Sequence, residues 1–230
     1  MGRTKRLIEV YLESGKQRVF AGAIDWPGWC RSGKGEEAAL EALAAYGPRY
    51  ADALRGTKLG FAAPPDASAF KVIERLKGDA TTDFGAPGKV PAADARRVDE
   101  AELGRMHAAL RACWRTFDAA VEGASGKELR KGPRGGGREL DKIVQHVVEA
   151  DAGYLARIGA KYRPGSDPLK ELSRMRPLIL GALSAVACGE PAPAGPHGGA
   201  RWTPRYYVRR SAWHVLDHAW EIEDRAIRVR

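Results

Sequence analysis

The chain has 230 residues, of which 44% are hydrophobic and 29% charged, and this composition is typical of a globular protein with a buried core. It contains no apolar run of membrane-spanning length, and the basic segment 1–6 is followed by residues too charged for a secretory signal. We therefore expect a cytoplasmic protein with no membrane partner. The three cysteines lie far apart in the chain, and we expect them to be reduced and structural.

The net charge of +9 raises the question of nucleic-acid binding. Residues 1–98 carry 16 basic against 12 acidic side chains, and residues 99–230 carry 22 against 17, so the excess is spread evenly. Without interleaved aromatic residues or a recognition-helix motif, nucleic acid is disfavoured as a partner. Two basic clusters are interpreted as a solvated rim or as contacts for a small anionic substrate: Lys127, Arg130, Lys131, Arg134 and Arg138, and Arg201, Arg205, Arg209 and Arg210.

The first third of the chain predicts a small α+β domain, residues 1–78, with an antiparallel sheet and a helix. Apolar residues alternate with polar ones in three stretches, 7–12, 17–24 and 70–77, and the first two form a hairpin pattern. Apolar residues at helical spacing predict a helix over 36–54, which the Gly47-Pro48 pair should kink or interrupt.

The remainder predicts a linker over 79–98, which is rich in glycine and proline, and an all-α four-helix bundle over 99–230. Pro177 predicts a kink or a late start in the third helix of the bundle. The four amphipathic helices are predicted at about 99–122, 138–159, 169–188 and 205–227.

Two histidines in the last predicted helix indicate a metal site. His214 and His218 are four residues apart, so their imidazoles lie on one helical face and can chelate one ion. His146, in the second predicted helix, is the best-placed third ligand. Three imidazoles leave an open coordination position for water, a thiol or a substrate oxygen. They suit a divalent ion such as Zn, Ni, Fe or Co, and the sequence does not choose among these.

Two glutamates stand three residues after predicted ligands, Glu149 after His146 and Glu221 after His218. Either carboxylate can orient an imidazole or act as a general base, and the alternative for each is a solvated helix residue. Asp151 and Asp217 fall off the implied histidine faces.

The glycine-rich loop 132–138 directly precedes the second helix of the predicted bundle. Free backbone donors at a helix N-terminus, together with Arg134 and Arg138, can bind an anionic cofactor or substrate. A simple tight turn is the alternative interpretation.

The segments "IVQHVVEAD" and "RRSAWHVLDHAWEIEDR" place one histidine on the second helix and a His-x-x-x-His pair on the last. In this layout, residues 100–225 resemble the DinB/YfiT superfamily. The resemblance implies a mononuclear divalent metal at His146, His214 and His218, and frequent homodimers. Characterised members of that superfamily include S-transferases and isomerases that use a low-molecular-weight thiol.

The stretch "RVFAGAIDWPGWCRSGKGEEAALEALA" has a strand, a Pro-Gly turn and a Glu-Glu-Ala helix. In this order of elements, residues 7–77 resemble the HicB antitoxin fold. A DNA-binding segment usually follows that fold in antitoxins, whereas here the predicted bundle follows. The resemblance therefore implies a module that docks a protein partner or covers the substrate.

Two functions follow as hypotheses. The first is a metal-dependent S-transferase or hydrolase that activates a thiol or water towards a small anionic substrate. The alternative is a non-catalytic binding or regulatory protein, in which the HicB-like part docks a partner and the histidines hold a structural or sensor metal.

Overall fold

The computed structural model describes residues 7–131, 137–189 and 201–226, which form an α+β fold with one four-stranded sheet and seven α-helices. The strands are β1 Ile8–Ser14, β2 Val19–Ala23, β3 Cys30–Gly33 and β4 Phe70–Lys77. The helices are α1 Glu36–Ala45, α2 Gly47–Ala53, α3 Ala80–Phe84, α4 Glu100–Ala124, α5 Leu140–Arg157, α6 Pro168–Ala187 and α7 Pro204–Arg225. In these residues no helix is both long and apolar enough to cross a membrane.

The sheet has the order β3-β2-β1-β4 and is mixed. The predicted hairpin is confirmed, because β1 and β2 pair antiparallel. The predicted antiparallel sheet is wrong at β4, which pairs parallel to β1. Helices α1 and α2 lie between β3 and β4 in the chain and supply the long crossover that a parallel pair requires. Strand β3 was not predicted, because four residues with Ser32 and Gly33 carry no strand-like alternation.

The predicted helix over 36–54 is interrupted as expected. Helix α1 ends at Ala45 and α2 begins at Gly47, with Pro48 in its first turn. Proline has no N–H to donate and is tolerated at that position, where no intrahelical acceptor is available anyway.

The turn before β3 lies directly against α7. Gly28 adopts a φ of 94°, and a Cβ atom placed there would lie 3.0 Å from the Cβ of Ala212 and 3.1 Å from Cδ1 of Leu216. The hydroxyl of Tyr50 donates to the carbonyl of Pro27 at 2.8 Å, which fixes the turn against α2. The backbone thus approaches α7 as closely as only glycine allows.

The segment predicted as a linker over 79–98 contains α3 and a 3-10 turn at Ala92–Ala95. The fully buried carboxylate of Glu13 on β1 accepts hydrogen bonds from the hydroxyl of Thr82 and, at 2.9 Å each, from the backbone N–H groups of Gly88 and Lys89. The segment is therefore fastened to the sheet, and the hydrophobic core continues from the sheet into the helices. The division of the chain at 78 and 99 stays a prediction.

The helical C-terminal region is confirmed, and each of its helices ends within two residues of its predicted bounds. Helix α7 packs along α4, and α5 packs against both α6 and α7. Helix α6 runs through Pro177 without the late start that the proline allowed for. The assignment of these helices to a four-helix bundle stays a prediction.

Arg209 on α7 is buried, so the interpretation of its cluster as a solvated rim is wrong for this residue. Its guanidinium donates to both carboxylate oxygens of Asp94, at 2.8 and 2.7 Å, and to the carbonyls of Ala23 and Ile24, at 2.6 and 2.8 Å. A cluster of basic residues does not show which of its members lies on the buried face of the helix. One buried cation thereby joins α7, the 3-10 turn and the end of β2.

Replacing Arg209 by methionine should lower the free energy of unfolding by about 3 to 5 kcal/mol, because Asp94 would remain buried without its partner. Urea denaturation followed by circular dichroism measures this loss. Adding Asp94→Asn to the same chain should recover part of it. A loss under about 1 kcal/mol in the single variant would show that the pair does not hold α7 in place.

Asp151 on α5 is buried, and neither of its carboxylate oxygens has a hydrogen-bond partner among the described residues. Burial raises the pKa of this carboxyl to about 7, although the charge of Arg176 opposes the shift. The hydroxyls of Tyr207 and Ser211 on α7 are also buried without a partner in the described part of the chain. The interior of the helical region therefore contains a buried carboxyl group. The sequence analysis placed Asp151 off the histidine face and did not predict its burial.

Asp151 by itself should lower the stability of the folded chain as the pH rises from about 4 to about 7, because its carboxyl ionises near pH 3.9 in the unfolded chain and near 7 in the folded one. Below about pH 4 the carboxyl is protonated in both states and no stability is lost, and above about 7 it is ionised in both states and no further stability is lost. Asp151→Asn should remove this loss, raising the melting temperature at pH 8 and changing it little at pH 4. Asp141→Asn, at an exposed position of α5, is the control and should show no such pH-dependent gain.

Candidate metal centre

The three predicted histidines are brought together where α5 meets α7. His146 lies on α5, and His214 and His218 lie one turn apart on α7. One ligand nitrogen from each lies within 4.8 Å of the others, and the Nε2 atoms of His146 and His214 are 3.2 Å apart. The three histidines are therefore close enough to hold one metal ion.

The surroundings of the imidazoles suit a metal that is open on one side. His214 is 6% exposed and His218 9%, whereas His146 is partly exposed and is therefore the ligand in contact with solvent. Two nitrogens bound to one tetrahedral zinc lie about 3.3 Å apart, which matches the separation of the Nε2 atoms of His146 and His214. In the metal-free chain the same distance allows one ring to donate an N–H to the other.

The protonation state of two of the rings also favours metal binding, since only neutral imidazole is a ligand. Burial lowers the pKa of His146, and the nearby charges of His218 and Arg138 add to this effect. Burial lowers the pKa of His214 well below its ordinary value, with the same neighbours contributing. Both rings are therefore neutral at physiological pH.

Glu221 holds the ring of His218. Its Oε2 atom lies 2.8 Å from Nδ1 of His218, which leaves Nε2 of that ring for a metal. Its other oxygen accepts from Arg225 at 2.6 Å. The hydrogen bond from His218 lowers the pKa of Glu221, so the carboxylate stays charged. By contrast, Nδ1 of His214 is buried without a partner among the described residues.

Arg225 joins this hydrogen-bond chain to the glycine-rich loop. Its guanidinium donates to the carbonyl of Arg130 at 2.8 Å and to the carbonyl of Arg138 at 3.0 Å, so it fastens both stems of the loop. The side chain of Arg138 is exposed, and its charge lowers the pKa of both His146 and His214. Arg134, the other predicted anion-binding residue, lies outside the described residues.

The other carboxylates that the sequence analysis considered, Glu149 and Asp217, have hydrogen-bond or ion-pair partners other than the histidines. Glu149 is exposed and accepts a hydrogen bond from Gln145 at 2.8 Å, although its charge acts on the pKa of His146. Asp217 pairs with Arg31 at 2.8 Å, away from the histidines, as its helical position predicted. Of the two predicted glutamates, only Glu221 contacts a histidine.

Two residues near the cluster were not assigned to it by the sequence analysis, which named Arg210 only as part of a basic cluster and did not name Tyr154. Tyr154 lies two turns after His146 on α5, and its ring centroid is 5.7 Å from that of His214. Arg210 lies one turn before His214 on α7, and its charge contributes to lowering the pKa of His214. Steps of four from the histidines would have found both residues, as 154 is eight after 146 and 210 is four before 214.

No family model matches this chain, and no match was found among the curated proteins or the solved structures.

Replacing Glu221 by glutamine should weaken Zn²⁺ binding about tenfold, because the ring of His218 loses the charged acceptor that fixes its orientation and tautomer. Competition titration against a chromophoric chelator measures the dissociation constant. Glu149→Gln is the matched control and should bind within about twofold of the wild type, since Glu149 contacts no histidine. Equal weakening by both variants would contradict the assigned role of Glu221.

Proposed function

We propose that the chain is a mononuclear metal-dependent enzyme of the DinB/YfiT type, acting as an S-transferase or hydrolase on a small anionic substrate. The observation that carries the proposal is the convergence of His146, His214 and His218 within 4.8 Å. The resemblance to that superfamily, one histidine on the second helix of the predicted bundle and a pair on the last, also supports the proposal. A homodimer, as is frequent in that superfamily, belongs to the same proposal.

A divalent ion held by three neutral imidazoles supplies an open coordination position and lowers the pKa of a thiol or water bound there. Glu221 keeps the ring of His218 oriented through Nδ1, and Arg225 keeps Glu221 charged and in place. His214 is buried and His146 partly exposed, so the exposed part of His146 is where solvent or substrate can contact the cluster.

The proton that the thiol or water loses passes to a base at the site or to solvent. Glu149 is the candidate base, because it lies one turn after His146 on α5, its charge acts on that ring and its carboxylate is exposed. In S-transfer the sulphur then bonds to an electrophilic carbon, and the leaving group departs with the electron pair. In hydrolysis, water takes the place of the thiol.

The alternative is a non-catalytic protein whose histidines hold a structural or sensor metal. A structural zinc site normally has four protein ligands, whereas the described residues bring only three metal-binding side chains together here. The open position therefore favours the enzyme.

Protein purified without an affinity tag should carry about one divalent ion per chain, measured by elemental analysis. His146→Ala and His218→Ala should each lose most of it. Gln145→Ala, next to His146 on α5, is the control and should retain the metal, because it supplies no metal-binding side chain. Wild-type metal content no higher than that of the histidine variants would overturn the metal site. Metal-loaded protein without transfer or hydrolysis in a screen of thiols and electrophiles would favour the alternative.

A further inference from the structure

Arg210 differs from the other arginines of α7 in what it contacts. Arg205 pairs with Glu102, Arg209 with Asp94 and Arg225 with Glu221. In the described parts of the chain no carboxylate pairs with Arg210. Its Nη1 atom donates to the carbonyl of Pro87 at 2.6 Å, which leaves most of the guanidinium donors without a charged acceptor.

Aromatic rings fix the guanidinium of Arg210 beside the histidines. Its central carbon lies 4.7 Å from the ring centroid of Trp213 and 5.7 Å from that of Tyr154, and the Tyr154 ring also lies beside His214. Cation–π contacts of this kind partly desolvate a guanidinium without neutralising it. Because the residue is still partly exposed, an anion from solvent can reach it.

We infer that Arg210 binds the carboxylate of the substrate while the reacting sulphur or oxygen lies at the histidine cluster. The guanidinium of Arg210 contacts the carbonyl of Pro87 and the hydroxyl of Tyr154, both uncharged, and its remaining donors can bind a carboxylate. Arg210 and His214 lie four residues apart on α7, so their side chains leave the same face of the helix, and the ring of Tyr154 lies beside both. Exposed Arg138, whose charge also reaches the histidines, adds to the attraction for an anion.

This inference rests on the proposed function, because the substrate is placed by the metal at one end and by Arg210 at the other. The test uses Co²⁺-loaded protein and two matched probes, 3-mercaptopropionate and its uncharged amide. Binding is read from the sulphur-to-cobalt absorption band as each thiol is added. All variants carry Cys188→Ser, since Cys188 is the one exposed cysteine of the three.

The wild type should bind the acid at least tenfold more tightly than the amide. Arg210→Gln should remove this preference by weakening the acid alone, with the amide unchanged within about twofold, and Arg210→Lys should retain part of it. Arg111→Gln, which removes an exposed charge on α4, should behave as the wild type. Equal affinity for acid and amide in the wild type, or equal weakening of both by Arg210→Gln, would overturn the inference.

The inference and the proposed function fail separately. A chain that takes up no cobalt overturns the metal site, and the role of Arg210 is then read in the metal-free protein. There, sodium propionate should raise the melting temperature, propionamide should not, and Arg210→Gln should abolish the rise. The absence of any rise with propionate would overturn the carboxylate site as well.

Discussion

A buried guanidinium sets the position of the helix that carries most of the candidate site. Arg209 reaches from α7 to Asp94 and to the carbonyls of the last residue of β2 and of the residue after it, and a buried cation is tolerated only where all its main donors find acceptors. Sliding or rotating α7 by part of a turn would break all of these contacts together. The next residue, Arg210, and the histidines that follow it are thereby held in register against the sheet.

A second guanidinium acts at the other end of the same helix. Arg225 connects the two stems of the glycine-rich loop to Glu221, and Glu221 connects to His218. The orientation of one candidate ligand is therefore coupled to the described residues on either side of the loop through a continuous chain of hydrogen bonds. Each hydrogen bond in this chain has at least one partner on a helix or at a helix boundary, so the orientation of the His218 ring is held by the helices.

The sequence predicted the parts of this protein that follow a period. The helices from α4 onwards and the shared face of His214 and His218 came from spacing, because one face of a helix is fixed by steps of three and four. His146 was predicted as the third ligand on condition that the two helix faces meet, and the packing of α5 against α7 meets that condition. The parallel placement of β4 and the burial of Arg209 and Asp151 depend on which distant segment packs alongside. Composition treats an arginine or an aspartate as exposed by default, and only tertiary contacts reveal the exceptions.

The turn at Gly28 sets the distance between the sheet and α7, the helix that carries His214 and His218. Its α-carbon faces the stretch of α7 between Ala212 and Leu216, which includes His214, with no room for a methyl group. The gap between turn and helix is thus as narrow as backbone geometry permits. A single added carbon there, 186 positions before His214 in the chain, would press on the helix that carries two of the three imidazoles, and the turn or α7 would have to shift by a few tenths of an ångström.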